Sequence, residues 1–318
     1  MRRTLALAGI VSTLGLVVSA PPAATATPAL VNGRIVYVDF LDCNMYSIEP
    51  DGTDKLQLTH FQFPHCADWP SASPDGSTIL FTDLGGNEQR LWSMNADGTG
   101  VRQVAKDAPG FRDYVGRYSP DGSKIAFARC QPTGGICAIW VMNADGTGMH
   151  GLTSYGTGAV DFYPSWSPDG SHIAFTSGGR GGITSAVYVM NADGSGKRRL
   201  TPPATEAGTP DYSPFGLHIL VGTNTETLNQ HIGVMDADGS NSQALTDPPF
   251  PHNDAYPKYS PDGKQVVFVS DRKYPDGRGL SLYVMNADGT GAALVPTGQN
   301  GVIFPWWAPV VVSTGGSR

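Results

Sequence analysis

The stretch that decides the fold spans residues 163–170 and reads Tyr-Pro-Ser-Trp-Ser-Pro-Asp-Gly. Its last four residues form a motif that recurs along the chain. Ser-Pro-Asp-Gly begins at Ser73, Ser119, Ser167 and Ser260, Ser-Pro-Phe-Gly begins at Ser213, and a degenerate Ala-Pro lies at 308–309. Successive copies start 46 to 48 residues apart. A fixed period of this length indicates a repeat architecture.

A second motif, Asn-Ala-Asp-Gly, alternates with the first. It begins at Asn95, Asn143, Asn191 and Asn286, with variants at 49–52 and 236–239. Proline suits the second position of a tight turn and glycine accepts the positive φ that closes it, so both motifs predict hairpins. In the unit at 163–201 the turns separate runs rich in aromatic and β-branched residues, which predicts strands at 163–167, 172–177, 186–190 and 197–201. No stretch of the sequence has sustained helical periodicity.

Six repeats of four short strands are typical of a β-propeller, in which each blade packs between its neighbours. The expected fold is therefore an all-β, six-bladed propeller over residues 34–312, preceded by a lead-in at 27–33 and followed by a flexible tail at 313–318. The repeat pattern starts with a second-type strand at 34–40 and ends with an unaccompanied first-type strand at 304–310. We expect the C-terminal strand to complete blade 1 and close the ring, because an open array would leave strand edges exposed.

The run at 163–170, followed by Ile-Ala-Phe at 173–175 and Tyr-Val-Met-Asn-Ala-Asp-Gly at 188–194, resembles the WD40-like PD40 repeat of TolB-type six-bladed propellers. The resemblance extends over residues 34–312. It implies a propeller alone, without the N-terminal α/β domain of TolB. The family implies no shared catalytic set, so function has to be argued from the site.

The N-terminal residues predict export. Arg2 and Arg3 precede an apolar stretch at 5–18, and Ala24-Thr25-Ala26 supplies small residues for cleavage. This is the pattern of a secretory signal peptide at 1–26, cleaved after Ala26. The arginine pair leaves both general secretion and twin-arginine export open. The apolar stretch is too short for a membrane span.

Charge and motifs limit the function classes. Charged residues make up 15% of the chain and the formal net charge is -7, which provides no basic surface for nucleic acid. The usual hydrolase elbow, metalloprotease and phosphate-loop motifs do not occur in the sequence. We expect a secreted monomer without cofactor or metal that binds a protein, peptide or cell-envelope polymer. The alternative is a small-molecule enzyme of lyase, hydrolase or cyclase type at the channel mouth.

If the strands of a blade are named a to d from the axis outward, the two motifs are the a–b and c–d turns. Both turns lie on one face of the ring, which we call the turn face. The b–c and d–a loops differ between blades and lie on the other face, the variable face. Binding residues usually lie on variable loops held by a rigid scaffold, so we predict the site there. The candidate binding residues are His65, Asp68, Trp69, Asp113, Arg117, Asp161, Tyr163, Asp211, His252, Asp254, Tyr256 and Lys258.

Each group of candidates has a structural interpretation beside the functional one. The four aspartates just before strand a, Asp68, Asp113, Asp161 and Asp254, could bind a cation or amine, or could bond neighbouring backbone amides. The pattern-breaking channel charges Arg117, Asp211 and Lys258 could bind an anionic or zwitterionic ligand, or could pair with one another. The aromatic side chains could stack on a ligand or pack within the blades.

The four cysteines of an exported chain allow three pairings. Cys130 ends a b strand and Cys137 begins the following c strand, while Cys43 and Cys66 fall in the b–c and d–a loops of blade 1. We therefore predict disulfides Cys43–Cys66 and Cys130–Cys137 on the variable face.

The exported protein is expected to begin at Thr27, because Ala24 and Ala26 satisfy the small-residue rule for cleavage. The intact mass of the protein recovered from the culture medium tests this directly. Recovery of secreted material that retains residues 1–26 would contradict it.

Overall fold

The computed structural model describes residues 30–85, 89–104, 109–133, 135–157, 159–179, 185–203, 205–224, 230–249, 251–274 and 279–311. These residues form six four-stranded antiparallel sheets, as the repeat predicts. The expected signal peptide and the tail at 313–318 lie outside the described residues. Within the described ranges, no helix has the length and apolar character needed to cross a membrane.

The first eleven strands, in chain order, are β1 (Leu30–Asp39), β2 (Asn44–Ile48), β3 (Leu56–Gln57), β4 (Ala67–Ala72), β5 (Thr78–Asp83), β6 (Arg90–Asn95), β7 (Arg102–Gln103), β8 (Arg112–Tyr118), β9 (Lys124–Cys130), β10 (Cys137–Asn143) and β11 (His150–Gly151). The remaining strands follow: β12 (Ala159–Trp166), β13 (His172–Gly179), β14 (Ala186–Asn191), β15 (Arg198–Arg199), β16 (Glu206–Tyr212), β17 (His218–Asn224), β18 (Gln230–Asp236), β19 (Gln243–Ala244), β20 (Asp254–Tyr259), β21 (Gln265–Ser270), β22 (Ser281–Asn286), β23 (Ala293–Leu294) and β24 (Val302–Val311). One turn of 3-10 helix spans Tyr155–Thr157.

Each sheet is one blade. Blade 1 has the order β24-β1-β2-β3, and blades 2 to 6 are formed by successive sets of four from β4 to β23. The first strands of neighbouring blades contact one another round the ring, and β24 lies between β20 and β4. The C-terminal strand therefore closes the propeller as expected.

The strand limits differ from the sequence prediction in three respects. The a strands begin earlier, as in β12, which starts at Ala159 and not at Tyr163, because residues on both sides of a β-bulge pair with strand b. The d strands are only two residues long, since just two of their residues pair with strand c. β1 begins at Leu30 because 30–32 pair with 309–311 of β24.

The turn motifs are stabilised by their own polar groups. In the a–b turn of blade 4, the Asp169 carboxylate accepts hydrogen bonds from the Ser167 hydroxyl and the Ser171 amide, and the Gly170 amide donates to the Ser167 carbonyl. These bonds favour the ionised acid and lower the pKa of Asp169 to about 2. Gly170 has φ +69°, which glycine adopts without steric cost.

The glycine of the c–d turn also packs against the preceding blade. A Cβ atom at Gly146 would lie 2.2 Å from the Val104 carbonyl oxygen, and one at Gly98 would lie 2.5 Å from that of Leu58. The two glycines have φ of +85° and +87°, so any larger residue would be strained as well as crowded. The repeated Asp-Gly therefore serves the hairpin and the contact between blades.

The hydrophobic core consists of six separate clusters, one at each interface between neighbouring blades. At the closing interface, Ile35 and Tyr37 of β1 pack against Val267 and Val269 of β21. Trp307 of β24 joins this cluster, and its indole N–H donates to the Gly33 carbonyl at 2.9 Å. These clusters are shared between blades, so each blade is stable only between two others.

Both predicted disulfides are present. Cys43–Cys66 joins the b–c loop of blade 1 to the d–a loop that leads into blade 2, and Cys130–Cys137 joins β9 to β10. All four cysteines of the chain are therefore paired. Both bonds constrain loops of the variable face.

Deleting residues 304–318 is expected to destabilise the protein severely. The deletion removes the axial strand of blade 1 and Trp307, and it exposes the interface with blade 6, against a total stability of about 5–15 kcal/mol in typical domains. Thermal unfolding measures the effect. Deletion of 313–318 alone, a polar and glycine-rich segment, is the control and is expected to leave Tm unchanged. Equal Tm values for both deletions would contradict closure by β24.

Candidate functional site

A ring of six equivalent residues narrows the channel at the variable face. Each lies five positions before the proline of the a–b turn, and together we call them the collar: Trp69, Val115, Tyr163, Thr209, Tyr256 and Phe304. All six have positive φ, between +47° and +55°. This conformation is uncommon for non-glycine residues, and for the β-branched Val115 and Thr209 it is a marked exception.

The cause is a β-bulge in every blade. In blade 2, Asp68 pairs with Thr82 and Ser71 pairs with Leu80, so Trp69 and Pro70 face one residue of β5. The other five blades have the same register shift. Proline follows the collar residue in five of the six blades. Proline has no amide hydrogen to donate to the strand ladder, and at a bulge no such hydrogen bond is required. A bulge re-aims side chains, and here five of the six collar residues line the channel, while Val115 is fully buried.

The aromatic members of the collar contact one another. The ring of Phe304 lies 5.1 Å from that of Trp69 and 4.6 Å from that of Tyr256. Trp69 also meets Tyr114 edge to face at 5.4 Å. Such pairs stabilise beyond the area that they bury. The candidates Trp69 and Tyr256 therefore both pack against Phe304, and Tyr163 packs edge to face against Phe162 at 4.9 Å. Each of the three candidates keeps a partly exposed surface.

Below the collar, a second set of six residues lies three positions before the same proline. We call it the axial layer: Ser71, Arg117, Ser165, Asp211, Lys258 and Trp306. The Lys258 ammonium donates to Asp211 at 3.0 Å, and the other Asp211 oxygen accepts from the Tyr259 amide. The Arg117 guanidinium lies 4.4 Å from the centre of the Trp306 ring. The three charged candidates of the channel are thus brought together, and all three are buried.

Three of the four strand-a aspartates have cationic partners in their own blades. Asp113 accepts two hydrogen bonds from Arg129, at 2.7 and 2.8 Å. Asp161 lies 3.5 Å from the Lys197 ammonium, and Asp254 pairs with Arg272. Each of these cations also lies over aromatic rings of strands b and c. These carboxylates therefore belong to separate blade-stabilising stacks, in place of the bonds to neighbouring amides that the structural interpretation expected.

Asp68 occupies a different position. It lies one residue nearer the a–b turn than the other three, beside the collar, and it accepts a hydrogen bond from the Trp69 amide at 3.0 Å. It makes no ion pair with any described residue. Burial raises the pKa of its carboxyl to about 7, and the single amide bond offsets only part of that rise. The mouth thus contains a carboxyl that titrates near neutral pH.

The two candidate histidines lie on the variable face, each beside an aspartate. His65 Nδ1 is 2.7 Å from Asp83, and His252 Nδ1 is 3.2 Å from Asp271. Across the described ranges, no three His, Cys, Asp or Glu side chains are grouped as metal ligands would be.

Blade 5 opens a cavity of about 250 Å³ beside the collar. It exists because blade 5 has small residues where other blades have larger ones. Gly208 and Gly222 lie where the other blades have larger side chains, and the neighbouring Thr209, like Val115 of blade 3, takes the place of an aromatic collar residue. Tyr163 and Tyr256 of the neighbouring blades form two walls, and the half-buried Glu206 contributes a carboxylate. Only a blade-by-blade search for unusually small residues could have found this feature in the sequence.

Sequence reasoning also missed apolar side chains that are exposed on both faces. Phe40, Leu41 and Phe63 lie on the loops joined by the Cys43–Cys66 disulfide, and Phe63 is 92% exposed. On the turn face, Phe215 takes the place of the aspartate of the motif and is 72% exposed, next to Leu217 at 66%. The turn face is therefore not uniformly polar. The signal for Phe215 was its departure from Ser-Pro-Asp-Gly.

Asp68→Asn is expected to change the pH dependence of stability. Between about pH 4 and pH 7 the folded protein holds a proton that the unfolded chain has released, so the wild type loses stability as pH rises, by as much as about 4 kcal/mol. The variant has no such loss, and its advantage over the wild type should grow from pH 4.5 to pH 8.

Urea unfolding at the two pH values measures this difference. Asp169→Asn is the matched control, because the pKa of Asp169 is about 2 and the group is ionised at both pH values in folded and unfolded chains. A stability difference for Asp68→Asn that is the same at pH 4.5 and pH 8 would show that Asp68 does not titrate in this range.

Several solved structures have similar folds. TolB from Acinetobacter baumannii matches with a TM-score of 0.70 and 21% identity over 87% of this chain, which spans 66% of that protein. A putative TolB from Agrobacterium tumefaciens matches with a TM-score of 0.62 and 24% identity, covering 88% of this chain and 91% of that one.

An oligogalacturonate lyase in complex with manganese also matches, with a TM-score of 0.54 and 13% identity, covering 85% of this chain and 74% of that one. These likenesses concern the fold, which is found in proteins with different functions. A search of curated proteins found no match. A family model described as the TolB beta propeller domain, PD40, matches residues 23–311, and the chain therefore belongs to the PD40 family of TolB-type propellers.

Proposed function

We propose that this protein is an exported, non-catalytic propeller that binds a protein, peptide or cell-envelope polymer through its variable face. The observation that carries the proposal is the cavity of blade 5, which opens beside the partly exposed aromatic collar. A concavity with aromatic walls and a few polar groups has the usual composition of a recognition site. Tyrosine and tryptophan are also frequent anchors of binding surfaces.

The cavity suits a projecting group of a larger partner. Its volume of about 250 Å³ is below the range of about 300–1,000 Å³ that is typical for pockets of drug-sized ligands. Glu206, Gln230 and Thr176 offer polar contacts at its walls, while Tyr163 and Tyr256 offer aromatic faces. A side chain or a single sugar ring of a polymer would therefore fill it, with the rest of the partner on the surrounding loops.

The loops around the mouth add exposed apolar side chains to the same face. The Cys43–Cys66 disulfide restrains the segments that expose Phe40, Leu41 and Phe63. A loop that is already restrained loses less conformational entropy when a complex forms. Disulfides persist in oxidising compartments, and export by a signal peptide would bring the chain to such a compartment.

Thr209→Tyr is expected to abolish partner capture without unfolding the protein. Tyrosine occupies the equivalent position in blades 4 and 6, at φ +54° and +55°, so the backbone of blade 5 accepts it. The new ring fills the cavity. In pull-downs from the culture medium and cell-envelope fractions of the producing strain, we expect at least about a tenfold loss of whichever component the wild type retains.

The matched control lies on the opposite face. Phe215→Asp recreates the Ser-Pro-Asp-Gly turn of other blades and removes an exposed apolar side chain. It should fold well and capture the partner as the wild type does. Loss of capture in Phe215→Asp, together with full capture in folded Thr209→Tyr, would locate the binding surface on the turn face and reject the proposal.

A further inference from the structure

The channel contains a small cavity between the collar and the axial layer. Its walls include Trp69, Tyr163, Tyr256 and Phe304 of the collar, and Arg117 and Lys258 of the axial layer. Its volume is about 20 Å³. We call it the axial cavity. It adjoins the larger cavity of blade 5, on which the proposed function depends, and the walls of both include Tyr163, Thr209 and Tyr256.

The Arg117 guanidinium lacks acceptors for part of its hydrogen-bonding capacity. Nη1 donates to the carbonyl of Gly116 at 3.0 Å and to that of Pro70 at 3.3 Å. No described residue accepts from Nε or Nη2. Arg117 is only 7% exposed and lines the axial cavity, so little water can reach these groups to replace the missing acceptors. Leaving buried donors of a charged group unpaired is costly.

The charges around the cavity do not balance. Arg117 and Lys258 are cationic, and the one carboxylate of the axial layer, Asp211, is already bound to Lys258 and to the Tyr259 amide. Asp68, the nearby carboxyl of the mouth, makes no ion pair with either cation. The Trp306 ring lies 4.4 Å from Arg117 and 5.4 Å from Lys258, and cation–π attraction compensates only part of a full charge.

Burial disfavours the charged form of both cations. It lowers the pKa of Arg117 to about 10 and also lowers the pKa of Lys258, although Asp211 acts in the opposite direction on both. A buried charge is normally compensated by a partner of opposite sign. The axial cavity is the space in which that partner would lie.

The size of the cavity selects the ligand. A volume of about 20 Å³ corresponds to roughly one water-sized particle. A water molecule would accept hydrogen bonds but would leave the excess charge, whereas a monatomic anion supplies both an acceptor and a negative charge in the least space. We propose that the axial cavity binds a halide ion, chloride under ordinary conditions, between Arg117 and Lys258.

The bound ion would contribute to the closure of the ring. Arg117 belongs to blade 3 and Lys258 to blade 6, which lie on opposite sides of the channel. One anion contacting both groups connects the two halves of the propeller through its centre. Because the ion binds the folded state and not the unfolded chain, the free energy of unfolding rises with halide concentration.

The experiment measures Tm of the mature protein in sodium chloride, sodium bromide and sodium gluconate at constant ionic strength. Replacing gluconate with about 100 mM chloride or bromide should raise Tm by about 2–4 °C. Arg117→Leu should lose this response. Arg272→Gln removes an arginine that pairs with Asp254 away from the axis, and it should keep the full halide response whatever its own Tm.

Crystals grown in gluconate and transferred to bromide give a second readout that does not depend on any variant. We expect a bromine anomalous peak within hydrogen-bonding distance of Arg117 and Lys258. Absence of that peak would overturn the proposal, even if Arg117→Leu failed to fold. A halide response in folded Arg117→Leu equal to that of the wild type would also overturn it, since the ion would then act elsewhere.

Discussion

The structure depends on one constraint, which is that a blade can bury its two faces only against other blades. Its six hydrophobic clusters are all interfaces, so removing any one exposes the flanks of two blades. The chain meets this constraint at its ends by pairing β24 with β1 and placing Trp307 in the last interface. The glycines of the c–d turns bring neighbouring blades close enough for these interfaces to pack.

The bulge in strand a connects this scaffold to the candidate site. It places two residues of strand a against one of strand b and holds the collar residue at positive φ in all six blades. The collar and the axial layer consequently both line the channel, one above the other. The channel charges Arg117 and Lys258, for which the sequence leaves ligand binding and mutual pairing open, lie beneath a layer of aromatic rings. Because both charges are buried, the stability of the channel axis depends on how each charge is paired or compensated.

Differences among the blades then distinguish function from scaffold. Asp113, Asp161 and Asp254 recur because each pairs with a cation that lies over its own blade's aromatic rings. Blade 5 departs from the repeat beside the collar, at Gly208 and Gly222, and in the turn, at Phe215. The first departure leaves the cavity and the second leaves an exposed apolar side chain. A repeat protein thus provides internal controls, because a residue that its equivalents do not share has no role common to all blades.

The sequence by itself determined the number of blades, the closing strand and both disulfides, because turn motifs at a fixed spacing specify local hairpins and their order. It also identified Trp69, Tyr163 and Tyr256 as mouth residues and Arg117, Asp211 and Lys258 as channel residues. Only the tertiary structure decided which of these meet, since a two-residue bulge changes the direction of every side chain around it. The partners of the aspartates, the burial of the axial charges and the cavity of blade 5 all depend on that register and on packing between blades, which no local pattern records.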